Sequence, residues 1–369
     1  MEPRILDYIL NFKQQSYVIN SDEETDPGPE WINCSLGVNP YGASNSVYDG
    51  LKKMDFSGIS NYPNYPFKYI KEKIVRYWSD IIDIEMDQLG VGNGSMGILN
   101  GINKILVHQG TKVLGYSPQF IDYISNVQSY GGVYDYIKLK KENNYKFSAS
   151  EFMDKISNDY TIIYIDNPNN PTGQVIPLMD LKTIIEKAEM MDIYVIIDEA
   201  YGDFMDKHNS AISLVGLYKN LFVVRSLSKG FGLAGLRVGY FLCQKVLMEI
   251  YKKIDLPFSI GSLSEEIAGF ALDDQQFVDT SIQNIKIYKQ KLINSFSAIK
   301  VLESCMQIPI MTLFLPDVNI DLFELFKKYK ILTESGSYFL NLGKNYVRIR
   351  VPRRIDKLIQ IINKLEQEL

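Results

Sequence analysis

Cysteine, histidine and tryptophan are scarce in this chain, with three, two and two residues among 369. Cys34, Cys243 and Cys305 lie far apart in sequence. No paired spacing joins them, which argues against a disulfide framework or a zinc site and fits a reducing cytosol. His108 and His208 are too few for a histidine-rich metal centre, so no metal is expected. Long apolar runs are missing too. None reaches the roughly 18 residues of a membrane helix, and the opening MEPRILDYILNFKQQ is too charged for a secretion signal. Nor is there a strong charge of either sign. A formal net charge of -5 gives no electrostatic footprint for nucleic acid or an anionic membrane surface. The expectation is a cytoplasmic protein that handles small molecules.

What the chain does contain is ordinary globular material. With 46% hydrophobic and 22% charged residues, it can build one large domain and a smaller one. SDEETDPGPE reads as a loop, and NCSLGVNPYGAS and NYPNYP are rich in turn residues. From about residue 90, apolar runs alternate with helical stretches: TKVLGYS, TIIYID, IYVIID, LFVVRS and VGYFLC. Most are apolar at consecutive positions, as strands buried on both faces must be. This predicts an α/β fold, a mainly parallel sheet sandwiched by helices. Beyond about residue 262 come one or two long amphipathic helices, then IMTLFLP, a helix around DLFELFKKY, a short ILTES segment, the strand YVRIRV and a terminal helix. That is the pattern of a smaller α+β domain. The expected division is a segment 1–40 that joins the small domain or covers the site, a large domain 41–262 and a small domain 263–369.

Polar residues gather where the apolar runs end, the place where open α/β sheets bind ligands. In VGNGSMG, the N–H groups of Gly94, Ser95 and Met96 can hold a phosphate at a helix start. Phe120, in YSPQF, follows its strand and can stack on a flat ring. Asn170, in IDNPNNPTG, is restricted by Pro171 to extended geometry and can point across the strand ends. Asp198 ends an apolar strand, where an unpaired carboxylate is costly and wants a cation or N–H partner. Tyr201 lies three residues on. In SLSKGFGLAGLRVGY, Lys229 sits between an apolar strand and a glycine-rich loop, suited to a depressed pKa and a carbonyl-binding amine. Ser226, Ser228 and Arg237 supply hydroxyls and a forked cation for phosphate. A phosphate, a flat ring, a protonatable ring nitrogen, a phenolic oxygen and an aldehyde together describe pyridoxal phosphate.

From about residue 30 onward the chain resembles the fold-type I pyridoxal-phosphate aminotransferases of class I/II. It is most similar by motif to the histidinol-phosphate aminotransferase and threonine-phosphate decarboxylase branch. The matching stretches are VNPYG, NYPNYP, GNGS, YSPQF, NPNNPTG, DEAY, SLSKGFGLAGLRVGY and YVRIRV. The resemblance implies that Lys229 forms a Schiff base with the cofactor and then moves protons. It implies that Asp198 pairs with the pyridinium nitrogen, that Asn170 and Tyr201 hold the ring oxygen and that Phe120 stacks on the ring. Phosphate contacts fall to Gly94, Ser95, Met96, Ser226, Ser228 and Arg237. Arg348 binds the substrate carboxylate, with Gly37 and Asn170 beside it. Tyr62 reaches in from a second subunit, which implies a homodimer with shared active sites.

Two positions depart from the family pattern. Phe120 stands where many relatives carry tyrosine. In KILTESGSYFLNLG, Glu334 or Ser335 takes the place of the arginine that clamps a substrate phosphate in relatives acting on phosphorylated compounds. A carboxylate there repels an anionic tail. The expectation is transamination of an L-amino acid without phosphate, with a basic or polar side chain. The alternatives are decarboxylation, or oxidation or cyclisation of an arginine-like amino acid. If Glu334 merely faces water, its charge has no bearing on the substrate.

Overall fold

The computed structural model describes residues 5–16 and 28–369. Its strands in chain order are β1 Ile32–Asn33, β2 Leu89–Asn93, β3 Lys112–Ser117, β4 Val133–Lys138, β5 Ile162–Asp166, β6 Tyr194–Glu199 and β7 Leu221–Ser226. They continue with β8 Val238–Cys243, β9 Lys300–Val301, β10 Ile310–Phe314, β11 Ile331–Leu332, β12 Glu334–Ser335 and β13 Tyr346–Arg350. Seven form one sheet in the order β2-β8-β7-β6-β5-β3-β4. β3 to β7 run parallel to one another, and β8 is antiparallel to both its neighbours.

The consecutive apolar runs have a direct cause. Side chains alternate across a strand, and helices cover both faces. Ile163, Ile165, Ile197 and Val223 enter one apolar cluster. Their neighbours Ile162, Tyr164, Ile196 and Val224 enter the cluster on the opposite face. β2 and β4 fall outside the five sequence-predicted runs. β4, VYDYIK, is an edge strand with half-buried and exposed positions, so its pattern is mixed. β2, LGVGN, carries two glycines and reads as part of the turn that follows.

Beyond the large sheet, β12-β13-β10-β9 form an antiparallel sheet. Met311, Leu313, Val347 and Ile349 pack one face of it with the final helix, Ile355–Leu365. That helix buries Ile355, Leu358, Ile362 and Leu365, one stripe at helical spacing. The expected long helical region resolves into two helices, Ser262–Leu272 and Gln275–Ile293. β1 pairs in parallel with β11, which ties the start of the chain to this C-terminal unit.

Two registers position the site. Asp166 lies beside Asp198 at the C-terminal ends of β5 and β6. In the smaller sheet, Arg348 stands between Thr312 and Glu334.

Candidate active site

Lys229 follows β7 in a loop held from two sides. The Asn39 N–H donates to the Lys229 carbonyl at 3.0 Å. The Asn39 side chain donates to the Gly230 carbonyl at 2.8 Å and to Ser281 Oγ at 3.0 Å. This is the work of the asparagine in VNPYG. Burial draws the Lys229 pKa down to about 8, and the guanidinium groups of Arg348 and Arg237 add to the effect. Its Nζ lies 5.6 Å from the centre of the Tyr201 ring. Gly37 closes over that tyrosine. A Cβ at Gly37 would stand 1.7 Å from the Tyr201 hydroxyl oxygen, so only glycine lets the backbone come so near.

Asp198 is 3% exposed. It accepts from Tyr164 Oη at 2.9 Å and from the Ala200 N–H at 3.0 Å. Burial lifts its pKa to about 7; the Tyr164 hydroxyl pulls it down, and the like charge of Asp166 pushes it up. Asp198 forms no ion pair among the described residues. A protonated ring nitrogen would supply the missing cation. Asp166 has a different task. It accepts from Tyr116 Oη at 2.8 Å and from the Asn170 N–H at 2.9 Å, and so sets the NPNNPTG loop.

The proposed phosphate cradle lies where β2, β7 and β8 meet. The helix Gly94–Leu106 starts without a side-chain cap, which leaves its first N–H groups available. Gly94 has φ +67°, and a Cβ there would lie 2.5 Å from an Arg237 guanidinium nitrogen. Arg237 donates to Ser228 Oγ at 3.4 Å, and the Ser228 N–H donates to Ser226 Oγ at 3.1 Å. Gly94, Ser95, Met96, Ser226, Ser228 and Arg237 therefore bring N–H groups, hydroxyls and a cation to one corner. Phe120 is half-buried at the start of the helix Ile121–Ser129. It packs on the cluster that holds Tyr123 and Tyr164. These residues fit pyridoxal phosphate in charge and in donor type.

At the substrate end, Arg348 Nη1 donates to Asn170 Oδ1 at 2.9 Å, and Nη2 donates to the Ser35 carbonyl at 2.5 Å. The Asn170 carbonyl is thus committed to Arg348, and its amide nitrogen is the end that can donate to a ring oxygen. Glu334 Oε1 lies 3.4 Å from Arg348 Nη2, and the two side chains are 8% and 1% exposed. The solvent-facing alternative for Glu334 is therefore corrected: register places it inside, against the arginine. Burial raises its pKa to about 7 despite that arginine, with Asp122 opposing ionisation further. Ser335 is buried beside it. Tyr62 lies elsewhere, 82% exposed, with its ring 4.9 Å from that of Phe258.

Sequence reasoning missed three contributors, Tyr164, Asp122 and the Ser35 carbonyl, and, away from the site, the buried ionic cluster of Arg225, Glu199 and Asp203. Tyr164 carried a signal. A tyrosine inside TIIYID must find a partner for a buried hydroxyl. Asp122 carried none, since an acid in a first helical turn is ordinary. No group of metal-binding side chains appears among the described residues.

The family model described as aminotransferase class I and II matches residues 29–362. The chain belongs to that family. A protein of Caldanaerobacter subterraneus subsp. tengcongensis, provisionally named a threonine-phosphate decarboxylase, is 29% identical over 337 residues, covering 90% of this aminotransferase and 89% of its own length. The histidinol-phosphate aminotransferase of Macrococcus caseolyticus is 31% identical over 277 residues, covering 72% of this chain and 76% of its own. The solved histidinol-phosphate aminotransferase of Clostridium acetobutylicum superposes with a TM-score of 0.81 at 23% identity, over 92% of this chain and 100% of that one. That likeness shows the fold, the α/β architecture of fold-type I enzymes. This aminotransferase is a pyridoxal-phosphate enzyme.

Proposed function

We propose that this aminotransferase takes the amino group of an L-amino acid that lacks a phosphate and has a basic or polar side chain, and passes it to a keto acid. The observation that carries the reading is the buried Glu334, in register with Arg348 and 3.4 Å from it. With Arg348 taken up by the substrate carboxylate, Glu334 and Asp122 are left to repel a phosphate and to draw an ammonium or guanidinium. Arg348 holds the substrate carboxylate, with Asn170 and the Gly37 loop beside it. Lys229, with its depressed pKa, supplies a free amine that takes and returns the α-proton. Asp198 holds a proton on the ring nitrogen. Asn170 and Tyr201 orient the ring oxygen, and Phe120 covers a ring face. Bound pyridoxal phosphate supplies the electron sink.

The active form in this reading is a homodimer with shared sites, located in the cytoplasm. Support comes from an exposed apolar patch: Ile59 at 65%, Tyr62 at 82%, Leu256 at 70% and Phe258 at 44%. No described helix is long and apolar enough to cross a membrane. We divide the chain into the segment 1–40, a large domain 41–262 and a small domain 263–369. The β1–β11 pairing supports joining the first segment to the last.

Decarboxylation on the same residues is the second reading, favoured by the provisional name of the Caldanaerobacter relative. The test is a panel of amino acids with and without a keto-acid acceptor, with products identified by mass spectrometry. Keto acid formed only with an acceptor supports transamination. Carbon dioxide release without acceptor dependence supports decarboxylation, and peroxide or a cyclic product supports oxidation or cyclisation of an arginine-like substrate.

A further inference from the structure

Tyr164 lies on β5, one strand away from Asp198, and its side chain is fully buried. Its phenol donates to Asp198 Oδ2 at 2.9 Å. On its other side, its ring stacks on that of Tyr123, with centroids 3.6 Å apart and planes 11° from parallel. Tyr123 in turn donates to Asn103 Oδ1 at 3.1 Å, which fixes it to the helix of the phosphate cradle. Tyr123 also belongs to the helix that Phe120 begins. One buried pair therefore links three parts of the cofactor site: the ring-stacking residue, the phosphate helix and the carboxylate.

We propose that Tyr164 is a positioning residue for the cofactor's ring nitrogen: its hydroxyl holds Asp198 as an oriented, ionised acceptor, and the stack on Tyr123 fixes the hydroxyl in place. A hydrogen bond donated to a carboxylate favours its charged form. That help is needed here, because burial and the like charges of Asp166 and Glu199 all favour the neutral acid. The other groups facing Asp198 are the amine of Lys229 and the hydroxyls of Tyr123 and Tyr201. Neither hydroxyl donates to it. The Ala200 N–H donates to the other oxygen, Oδ1. Removing the Tyr164 hydroxyl thus leaves Asp198 Oδ2 buried without a donor.

The proposal rests on the reading that Asp198 faces the ring nitrogen, and the experiment separates the two. Asp198 is followed by isotope-edited infrared titration in cofactor-free protein, and pyridoxal phosphate affinity is measured at pH 7 by fluorescence. Tyr164→Phe keeps the ring stack and should raise the Asp198 midpoint by about one pH unit, with cofactor affinity falling about tenfold. Placing 3-fluorotyrosine at 164, a stronger donor of nearly the same size, should move the midpoint down. It also serves if the phenylalanine variant does not fold. An unmoved midpoint in the variants that fold overturns the role of Tyr164, because a purely structural tyrosine would not shift it. Asp198→Asn tests the underlying reading. If its affinity and turnover match the wild type, Asp198 does not serve the ring nitrogen, and the proposal falls with that reading. If they collapse while the tyrosine variants leave the midpoint in place, only the proposal falls.

Discussion

Arg225 and Arg348 are both 1% exposed, yet their surroundings are built in opposite ways. Arg225 donates to Glu199 at 2.9 Å and to Asp203. Glu199 also accepts from Ser210 Oγ at 2.6 Å and from the Ala211 N–H at 2.7 Å. Two carboxylates close on one guanidinium, and the cluster ties β6 to β7. Among the described contacts, Arg348 instead donates to two neutral carbonyl oxygens, those of Asn170 and Ser35, and Glu334 lies 3.4 Å from it. In the proposed reading the closed cluster serves the fold and the one at Arg348, open toward the substrate, serves a ligand, although burial is the same in both.

The largest expected effect lies beside the open cluster. Lys229→Ala should abolish turnover and the borohydride-reducible bond to the cofactor, while circular dichroism stays native. A reducible bond in that variant would dismiss Lys229 as the attachment point. Arg225→Met should strike stability instead, by about 3–5 kcal/mol, because Glu199 and Asp203 lose their counterion. Urea unfolding measures this, and a loss below about 1 kcal/mol would mean the cluster is not closed in the sense argued.

Arg348→Lys sharpens the contrast. Lysine keeps the charge but cannot reproduce the fork. We expect kcat/KM to fall by about 1.5–3 kcal/mol in transition-state terms, or roughly tenfold to a hundredfold. Urea unfolding should change little, since Glu334 can take up a proton when its partner weakens. A variant that unfolds as readily as Arg225→Met would erase the distinction.

A further effect concerns pH. The folded-state pKa of Lys229 is drawn below its ordinary value of 10.5, to about 8. For a base, this penalises folding at low pH. The penalty is fully present below about 8 and fades as pH rises toward 10.5. Cofactor-free Lys229→Met should therefore melt above the wild type at pH 7, and the gap should narrow across that window. A gap independent of pH would show that the amine is not desolvated.

How legible each cluster was follows from how it is built. Asp198, Lys229 and Asn170 sit at the ends of apolar runs, where a polar residue stands out. The sheet they belong to was readable because helices bury both its faces. Arg225 lies inside the run LFVVRS, and its partners come from the end of β6 and the turn after it, so spacing along the chain reveals no pairing. Glu334 was visible as a departure from the family pattern, but its burial depends on register with Arg348 across two strands. Spacing along the chain does not reveal that register. The same holds for Ser35, which reaches the site through the β1–β11 pairing, and for Tyr164, whose partner lies on the next strand. β4 escaped because an edge strand lacks the two-sided burial that marks the others.

The claim that Glu334, beside the carboxylate-binding Arg348, favours a cationic side chain and refuses a phosphate is tested most directly by one comparison. It is the kcat/KM of the holoenzyme for L-arginine against L-histidinol phosphate, repeated with Glu334→Gln. The account predicts that arginine is preferred, and that the variant loses about tenfold on arginine, the size of a charge-assisted hydrogen bond, while neutral amino acids are spared. Efficient turnover of histidinol phosphate by the wild type, or equal losses on charged and neutral substrates in the variant, would contradict it.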